Sequence, residues 1–171
     1  MSKIESILFV CLGNICRSPL AEGIARDLAQ KRGLELKIDS AGTSGWHIDE
    51  PPCANSIAIA RKYGIDISSL RGRKVSVYGD DVFDWIVAMD KQNYHDLLKM
   101  GFDESKVKFI GDFGLEGQEI PDPYYYKNLE GFEKIFAMLK TAIAEMYKQL
   151  SYVLYWILKP IFGRLKKFSS R

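Results

Sequence analysis

The sequence predicts an α/β fold of three layers, in which a four-stranded parallel sheet is flanked by helices. Short apolar runs alternate along the chain with segments of helical periodicity, which is typical of strand–helix–strand units. The central apolar runs also lack a polar face, as expected for strands covered on both sides. With 171 residues, of which 47% are hydrophobic and 27% charged, the chain is long enough for one domain with a substantial core.

The predicted elements follow one another in an alternating order. Apolar or alternating runs predict strands at residues 7–10, 34–38, 85–89 and 107–110. Helical spacing of apolar residues predicts helices at residues 19–32, 53–63, 91–100 and 128–150. Residues 40–46 and 111–127 are predicted as loops. The first of these starts just past a strand end, where α/β proteins place binding loops. Strands that alternate with helices are joined by right-handed crossovers.

A short loop of residues 11–17, CLGNICR, separates the first strand from the first helix. Ser18 and Pro19 are predicted to be the N-cap and the first residue of that helix. Cys11 then stands at a strand end, below a loop of backbone N–H groups and facing a helix N-terminus. Such a site binds oxyanions and favours the nucleophilic thiolate. The guanidinium of Arg17 is suited to clamp two phosphoryl oxygens.

The string CLGNICRSPLAE resembles the phosphate-binding loop of the low-molecular-weight protein tyrosine phosphatases, and the resemblance extends over about residues 4–149. It implies a phosphate-binding loop after strand 1, with Cys11 as the nucleophile and Arg17 as the phosphoryl clamp. It also implies a set of residues that form the phosphate-binding loop. These are Leu12, Gly13, Asn14, Ile15, Cys16 and Ser18.

The same resemblance implies how the loop is supported. Asn14 is expected to hold the loop in a strained shape, with Ser40 as a supporting residue. Ser18 is expected to hydrogen-bond to the thiolate. Some relatives carry a histidine that supports the loop asparagine, and we interpret Tyr63 as the residue at that position.

Asp122 is the candidate general acid, because a phenolate leaves efficiently only if a nearby acid protonates it. Two prolines flank it in the stretch PDPYY, and they place it in an irregular loop. An Asp-Pro pair alone is more typical of an ordinary turn, but DPYY resembles the general-acid loop of the family. Tyr124 and Tyr125 are then expected to form one wall of the substrate pocket and Trp46 another, since aromatic walls suit a phenyl ring.

Cysteine content bears on the compartment and on redox chemistry. Three cysteines do not make a secreted disulfide framework, and no charged, apolar leader is apparent, so we expect a cytoplasmic protein. His47 and His95 have no partner at ligand spacing, so no metal or other cofactor is expected. Either Cys16 fills space, or it protects Cys11 as a reversible disulfide, a pairing that the resemblance implies. Cys53 is expected to be structural.

Residues 151–171 form a separate tail after a domain of residues 1–150. The tail carries five basic residues and no acidic one, so the rest of the chain is acidic on balance and no nucleic-acid binding is expected. Its apolar residues have helical spacing, with a kink or stop expected at Pro160. The apolar run is too short to span a bilayer. The tail could contact an anionic membrane surface, bind a partner helix, pack on its own domain or be disordered.

The leading function is therefore metal-independent hydrolysis of phosphotyrosine in proteins through a phosphocysteine intermediate. A phosphoarginine phosphatase is the first alternative, but such relatives carry Thr where this chain has Ile15. Arsenate reductases of this fold need further cysteines, and none follows Cys53. A non-catalytic phosphotyrosine-binding protein would need neither Cys11 nor Asp122. A membrane-recruited scaffold depends on the tail alone.

Overall fold

The computed structural model describes residues 3–126 and 128–165, with side chains described as far as residue 150. Strands and helices alternate, as the sequence predicts. The strands are β1 (Ser6–Cys11), β2 (Lys37–Gly42), β3 (Trp85–Ala88) and β4 (Val107–Phe109). The α-helices are α1 (Arg17–Lys31), α2 (Ala54–Lys62), α3 (Val77–Asp80), α4 (Lys91–Lys99) and α5 (Leu129–Leu165). Two 3-10 turns are also present, Ile110–Asp112 at the start of the predicted second loop, where the first of its residues was predicted as strand, and Pro123–Tyr125 within that loop.

The four strands form one parallel sheet in the order β2-β1-β3-β4, which confirms the predicted fold class. Strand β1 is central, and its side chains alternate between two hydrophobic cores. Ile7 and Phe9 pack in the core that includes α1, α2 and α5. Leu8 and Val10 pack in the core on the other face, beside α4. Both faces are therefore covered, which explains why the strand is apolar from Ile7 to Val10.

Strand β2 differs most from its predicted bounds, because it begins at Lys37 and continues to Gly42 rather than covering residues 34–38. It pairs with the whole of β1, from Ser6 opposite Lys37 to Cys11 opposite Gly42. The polar and small residues at its end look like a loop in the sequence. They are held in the sheet by this pairing, and Ser40 is consequently brought beneath the phosphate-loop segment.

Helix α5 runs from Leu129 to Leu165 and so passes both the predicted boundary at residue 150 and Pro160. A kink or stop was expected at Pro160, and the helix does not stop there. Up to Leu150 the helix buries one apolar stripe against the sheet, including Phe132, Leu139 and Met146. Within the described part of the chain, no helix has the length and apolarity needed to cross a membrane. The division into a domain and a tail stays a prediction.

Candidate active site

The loop after β1 leads directly into α1, which begins at Arg17 with Cys16 as its N-cap. The prediction of Ser18 as N-cap and Pro19 as first residue is therefore wrong, since both lie inside the first turn. The physical reason is that the Ser18 hydroxyl faces Cys11, with 3.0 Å between the Ser18 Oγ and Cys11 Sγ atoms, and accepts from no backbone amide of the helix. No side chain caps the helix, so its N-terminal amides are left for an anion.

Cys11 is 3% exposed and is a free thiol at the end of the central strand. Its sulfur accepts a hydrogen bond from the backbone N–H of Asn14 at 3.3 Å and lies against the Ser18 hydroxyl. That hydroxyl accepts from the Asn14 side-chain amide at 2.9 Å, and its own proton can be donated either to the sulfur or to the carbonyl of Ala41, which lies 3.3 Å away. Donors of this kind stabilise a negatively charged sulfur.

Asn14 holds the loop from within. Its φ of 54° is left-handed, a conformation that costs energy for a residue other than glycine. Its buried side chain compensates with three hydrogen bonds: the amide nitrogen donates to Ser18 and Ser40, and the oxygen accepts from the backbone N–H of Arg73, all at 2.9 Å. The Arg73 contact was missed because its donor is a backbone N–H, which every residue type except proline carries.

A second layer of polar contacts supports Ser40. The Ser40 hydroxyl donates to the buried carboxylate of Glu22 at 2.6 Å, and Glu22 forms an ion pair with Arg26 at 2.5 Å. Burial raises the pKa of Glu22, although the Ser40 hydrogen bond and the charge of Arg26 oppose that effect. Nothing in the helical pattern of α1 distinguished Glu22 from a solvated residue, so the sequence reasoning did not find it.

Tyr63, interpreted as standing where some relatives carry a supporting histidine, makes none of the hydrogen bonds that hold the loop asparagine. Its hydroxyl donates to Glu133 at 2.7 Å, and its ring stacks on Phe136 with centroids 4.1 Å apart. Tyr63 lies at the C-terminal end of α2, facing α5, and is 44% exposed. The polar contacts of Asn14 come from other elements.

Arg17 is 4% exposed, and its guanidinium is fixed by three acceptors. One nitrogen, Nη1, lies 2.6 Å from Asp90 and donates to the carbonyl of Ile120 at 3.1 Å; the other, Nη2, lies 3.5 Å from Asp122. Burial lowers the pKa of Arg17, but the negative charges of Cys11, Asp90 and Asp122 outweigh it and raise that pKa. The cation is thus oriented before a ligand arrives.

Asp90 is a further residue of the site that the sequence reasoning missed. It follows β3 and caps α4 by accepting from the backbone N–H of Asn93 at 2.6 Å, while its other oxygen holds Arg17. Strands β1 and β3 are neighbours whose crossovers lead away in opposite directions, so the loops at their carboxyl ends meet. An aspartate placed just after the third predicted strand was the available signal.

Asp122 reaches the same site from a distant loop, 105 residues along the chain from Arg17. One of its oxygens accepts from the backbone N–H of Tyr124 at 3.0 Å, which fixes the carboxylate at the start of the turn Pro123–Tyr125. The other oxygen is the one near Arg17. The carboxyl group is partly exposed and faces the pocket that also contains Cys11.

The pocket has a volume of about 550 Å³ and brings together the predicted nucleophile, clamp and acid. Trp46, Tyr124 and Tyr125 line it and are 72%, 88% and 82% exposed, so three aromatic rings stand at its mouth. Among the residues of the predicted phosphate loop, four line the pocket: Leu12, Gly13, Ile15 and Cys16. In the described part of the chain, no group of three or more His, Cys, Asp or Glu residues is placed to hold a metal ion.

Cys16 is joined in a disulfide to Cys53, with the two Cα atoms 5.4 Å apart. Neither of the two interpretations of Cys16, as a space-filling residue or as the partner of Cys11, is what the structure shows, and Cys53 is the residue bonded to it. The reason is the position of α2, whose N-cap is Cys53. Its backbone N–H donates to the carbonyl of Ile15 at 2.7 Å, which brings the two thiol-bearing residues side by side.

Comparison of the chain with known proteins places it in one family. The model of the low molecular weight phosphotyrosine protein phosphatases matches residues 6–153. The low molecular weight protein-tyrosine-phosphatase YfkJ of Bacillus subtilis is 46% identical over 147 residues, which is 82% of this chain and 92% of YfkJ. The phosphotyrosine protein phosphatase of Gallus gallus is 36% identical over 140 residues, covering 78% and 88% of the two chains.

Solved structures agree with the family match. The crystal structure of YfkJ has a TM-score of 0.80 at 40% identity, covering 88% of this chain and 97% of that one. A structure described as a Drosophila arginine phosphatase has a TM-score of 0.78 at 30% identity, with 84% and 96% covered. Phosphatases that are named for different substrates therefore share this fold.

Proposed function

Since the chain belongs to the low molecular weight phosphotyrosine protein phosphatase family, we propose that it hydrolyses phosphotyrosine in proteins through a phosphocysteine on Cys11. The observation that carries the proposal is one pocket in which a free thiol, a fixed guanidinium and a carboxyl group converge below aromatic rings. We place the enzyme in the cytoplasm, since a catalytic thiol is maintained best in a reducing compartment.

In the first step the Cys11 thiolate attacks phosphorus in line with the leaving tyrosyl oxygen. The phosphoryl oxygens are held by Arg17 and by the amides at the start of α1. Asp122 gives its proton to the leaving oxygen, and a phosphocysteine remains.

In the second step Asp122, now a carboxylate, accepts a proton from water as that water attacks the phosphocysteine. Inorganic phosphate leaves, and the electron pair of the broken bond returns to the sulfur of Cys11. The Ser18 hydroxyl and the Asn14 N–H stabilise the sulfur as it regains its charge. Asp122 is then protonated again, and the site is ready for another turnover.

Phosphoarginine is the second substrate to test, because a structural neighbour is described as an arginine phosphatase. Ile15 is the residue that decides between the two substrates. It lines the pocket with an aliphatic side chain, which accepts no hydrogen bond from a guanidinium, whereas it packs well against a phenyl ring. The site therefore favours phosphotyrosine.

The test is phosphate release from matched peptides that carry phosphotyrosine, phosphoarginine or phosphoserine, without added metal. We expect the largest kcat/KM with phosphotyrosine and little release from phosphoserine, whose short side chain does not reach Cys11. In the Ile15→Thr enzyme the ratio of phosphoarginine to phosphotyrosine hydrolysis should rise. Release mainly from phosphoarginine by the unaltered enzyme would contradict the substrate assignment, and binding without release would indicate an adaptor protein.

A second proposal concerns the tail, residues 151–171, which lies almost entirely beyond the family match. We propose that it contacts anionic membrane surfaces, because five basic residues accompany aromatic residues that suit the interface, such as Tyr152 and Trp156.

Exchanging Lys166 and Lys167 for Glu should reduce co-sedimentation of the full chain with phosphatidylserine vesicles. The same exchange at the exposed Lys91 and Lys99 of α4 is the matched control. Equal losses in both variants would argue against the tail as the contact.

A further inference from the structure

The mechanism uses one cysteine and leaves two others in the wall of the same pocket. Cys16 and Cys53 both line it, both are partly exposed, and they are joined to each other. Cys11 is separate from them, buried and unpaired, with its sulfur engaged by Ser18 and Asn14. We propose that Cys16 and Cys53 are a redox-active pair that small disulfides oxidise while the nucleophile Cys11 remains a free thiol.

The backbone holds the two cysteines at bridging distance independently of the bond between them. Their Cα atoms are 5.4 Å apart, within the usual range for disulfides. The Cys53 N–H donates to the carbonyl of Ile15 at 2.7 Å, and the Ser56 hydroxyl donates to the carbonyl of Cys16 at 3.0 Å. These two hydrogen bonds tie the phosphate loop to the start of α2. The reduced pair is therefore already positioned, so the second thiol attacks within the molecule.

The chemistry is ordinary thiol–disulfide exchange with a small disulfide such as oxidised glutathione. One of the two protein thiolates attacks a glutathione sulfur and expels the first glutathione thiolate. The other protein thiolate then attacks the protein sulfur of the mixed disulfide and expels the second. Two cysteine thiols are oxidised to one disulfide, two glutathiones are formed, and the two protons released by the protein thiols are taken up by them.

The bridge has a consequence for the nucleophile. A sulfenic acid on Cys11 is protected from irreversible oxidation when a nearby thiol condenses with it to form a disulfide. Once Cys16 is bonded to Cys53, it has no thiol to offer. The bridged enzyme should therefore stay active, but after a later exposure to peroxide it should recover less activity, because Cys16 is no longer free to form a disulfide with Cys11. The dithiol enzyme keeps Cys16 for that reaction, so the pair sets whether oxidation of Cys11 can be reversed.

The first experiment maps the disulfides of the full chain after equilibration with mixtures of reduced and oxidised glutathione. We expect a peptide linking Cys16 to Cys53, with Cys11 recovered as an alkylated thiol and phosphatase activity retained. The Cys53→Ser protein should instead carry glutathione on Cys16. A Cys11→Ser protein should form the bridge at the same glutathione ratio as the unaltered chain, because the nucleophile takes no part.

Two results would overturn the proposed redox pair, and a third would overturn its consequence for Cys11. One is a peptide linking Cys11 to Cys16 with loss of activity. Another is failure of the Cys11→Ser protein to form the bridge, which would mean that oxidation passes through the nucleophile. The third comes from exposing the bridged and dithiol enzymes to hydrogen peroxide, followed by a thiol reductant. We expect the dithiol enzyme to recover most of its activity and the bridged enzyme much less, and equal recovery would remove the proposed consequence.

Discussion

Replacing Cys11 by serine should abolish phosphate release while phosphotyrosine peptides still bind. A serine hydroxyl is a weak nucleophile unless a base removes its proton. The neighbours of this sulfur are the Ser18 hydroxyl and the Asn14 N–H, and neither of them is a base. We expect kcat to fall by on the order of 10³-fold or more, a size typical of losing a nucleophile. Arg17 and the amides of α1 remain in place, so affinity should be largely kept.

The loss of activity is measured as phosphate release under single-turnover conditions. The retained affinity is measured by calorimetric titration with a phosphotyrosine peptide. Trapping of a phosphocysteine by rapid acid quench should succeed with the unaltered enzyme and fail with Cys11→Ser. Activity of the variant within tenfold of the unaltered enzyme would place the nucleophile elsewhere. Loss of peptide binding together with activity would instead indicate that Cys11 mainly shapes the loop.

The second large effect is expected from Asp122→Asn, which should slow hydrolysis of phenyl phosphate by roughly 10²–10⁴-fold, the range for a lost general acid. Asparagine keeps an oxygen that can accept from the Tyr124 N–H, so the turn at Pro123–Tyr125 should be preserved. The loss should be smaller for p-nitrophenyl phosphate, since its leaving group needs less protonation. The same carboxyl group serves as the base for water, so hydrolysis of the phosphocysteine should slow as well.

Asp112→Asn is the matched control, because Asp112 is an exposed aspartate earlier in the same loop region and lies in its own 3-10 turn. It should leave the rates within the usual range for a neutral surface change. Rates measured for a series of aryl phosphates with different leaving groups decide the role of Asp122. An equal slowing across the whole series would mean that Asp122 acts by holding Arg17 rather than by donating a proton.

Much of the fold was predictable because the physical signals were local. The apolar run of β1 has no polar face, and a parallel sheet covered on both sides requires just that pattern. The string from Cys11 to Glu22 likewise carries its signal within a dozen residues, since a strand end, a loop of amides and a helix start are adjacent in the chain. Family membership followed from the same string and is confirmed by the match over residues 6–153.

The sequence alone determined which residue types the chemistry has available, but the tertiary structure decided which of them meet. Asp90 touches Arg17 only because β1 and β3 are neighbours in the sheet, and Arg73 supports Asn14 through a backbone N–H that no residue type reveals. The partner of Cys16 was not predicted for the same reason. The resemblance implied a pairing with Cys11 as one of two possibilities, whereas the packing of α2 against the loop brings Cys53 to bonding distance across 37 residues. Contacts between distant segments depend on how whole elements pack, and local patterns do not record that.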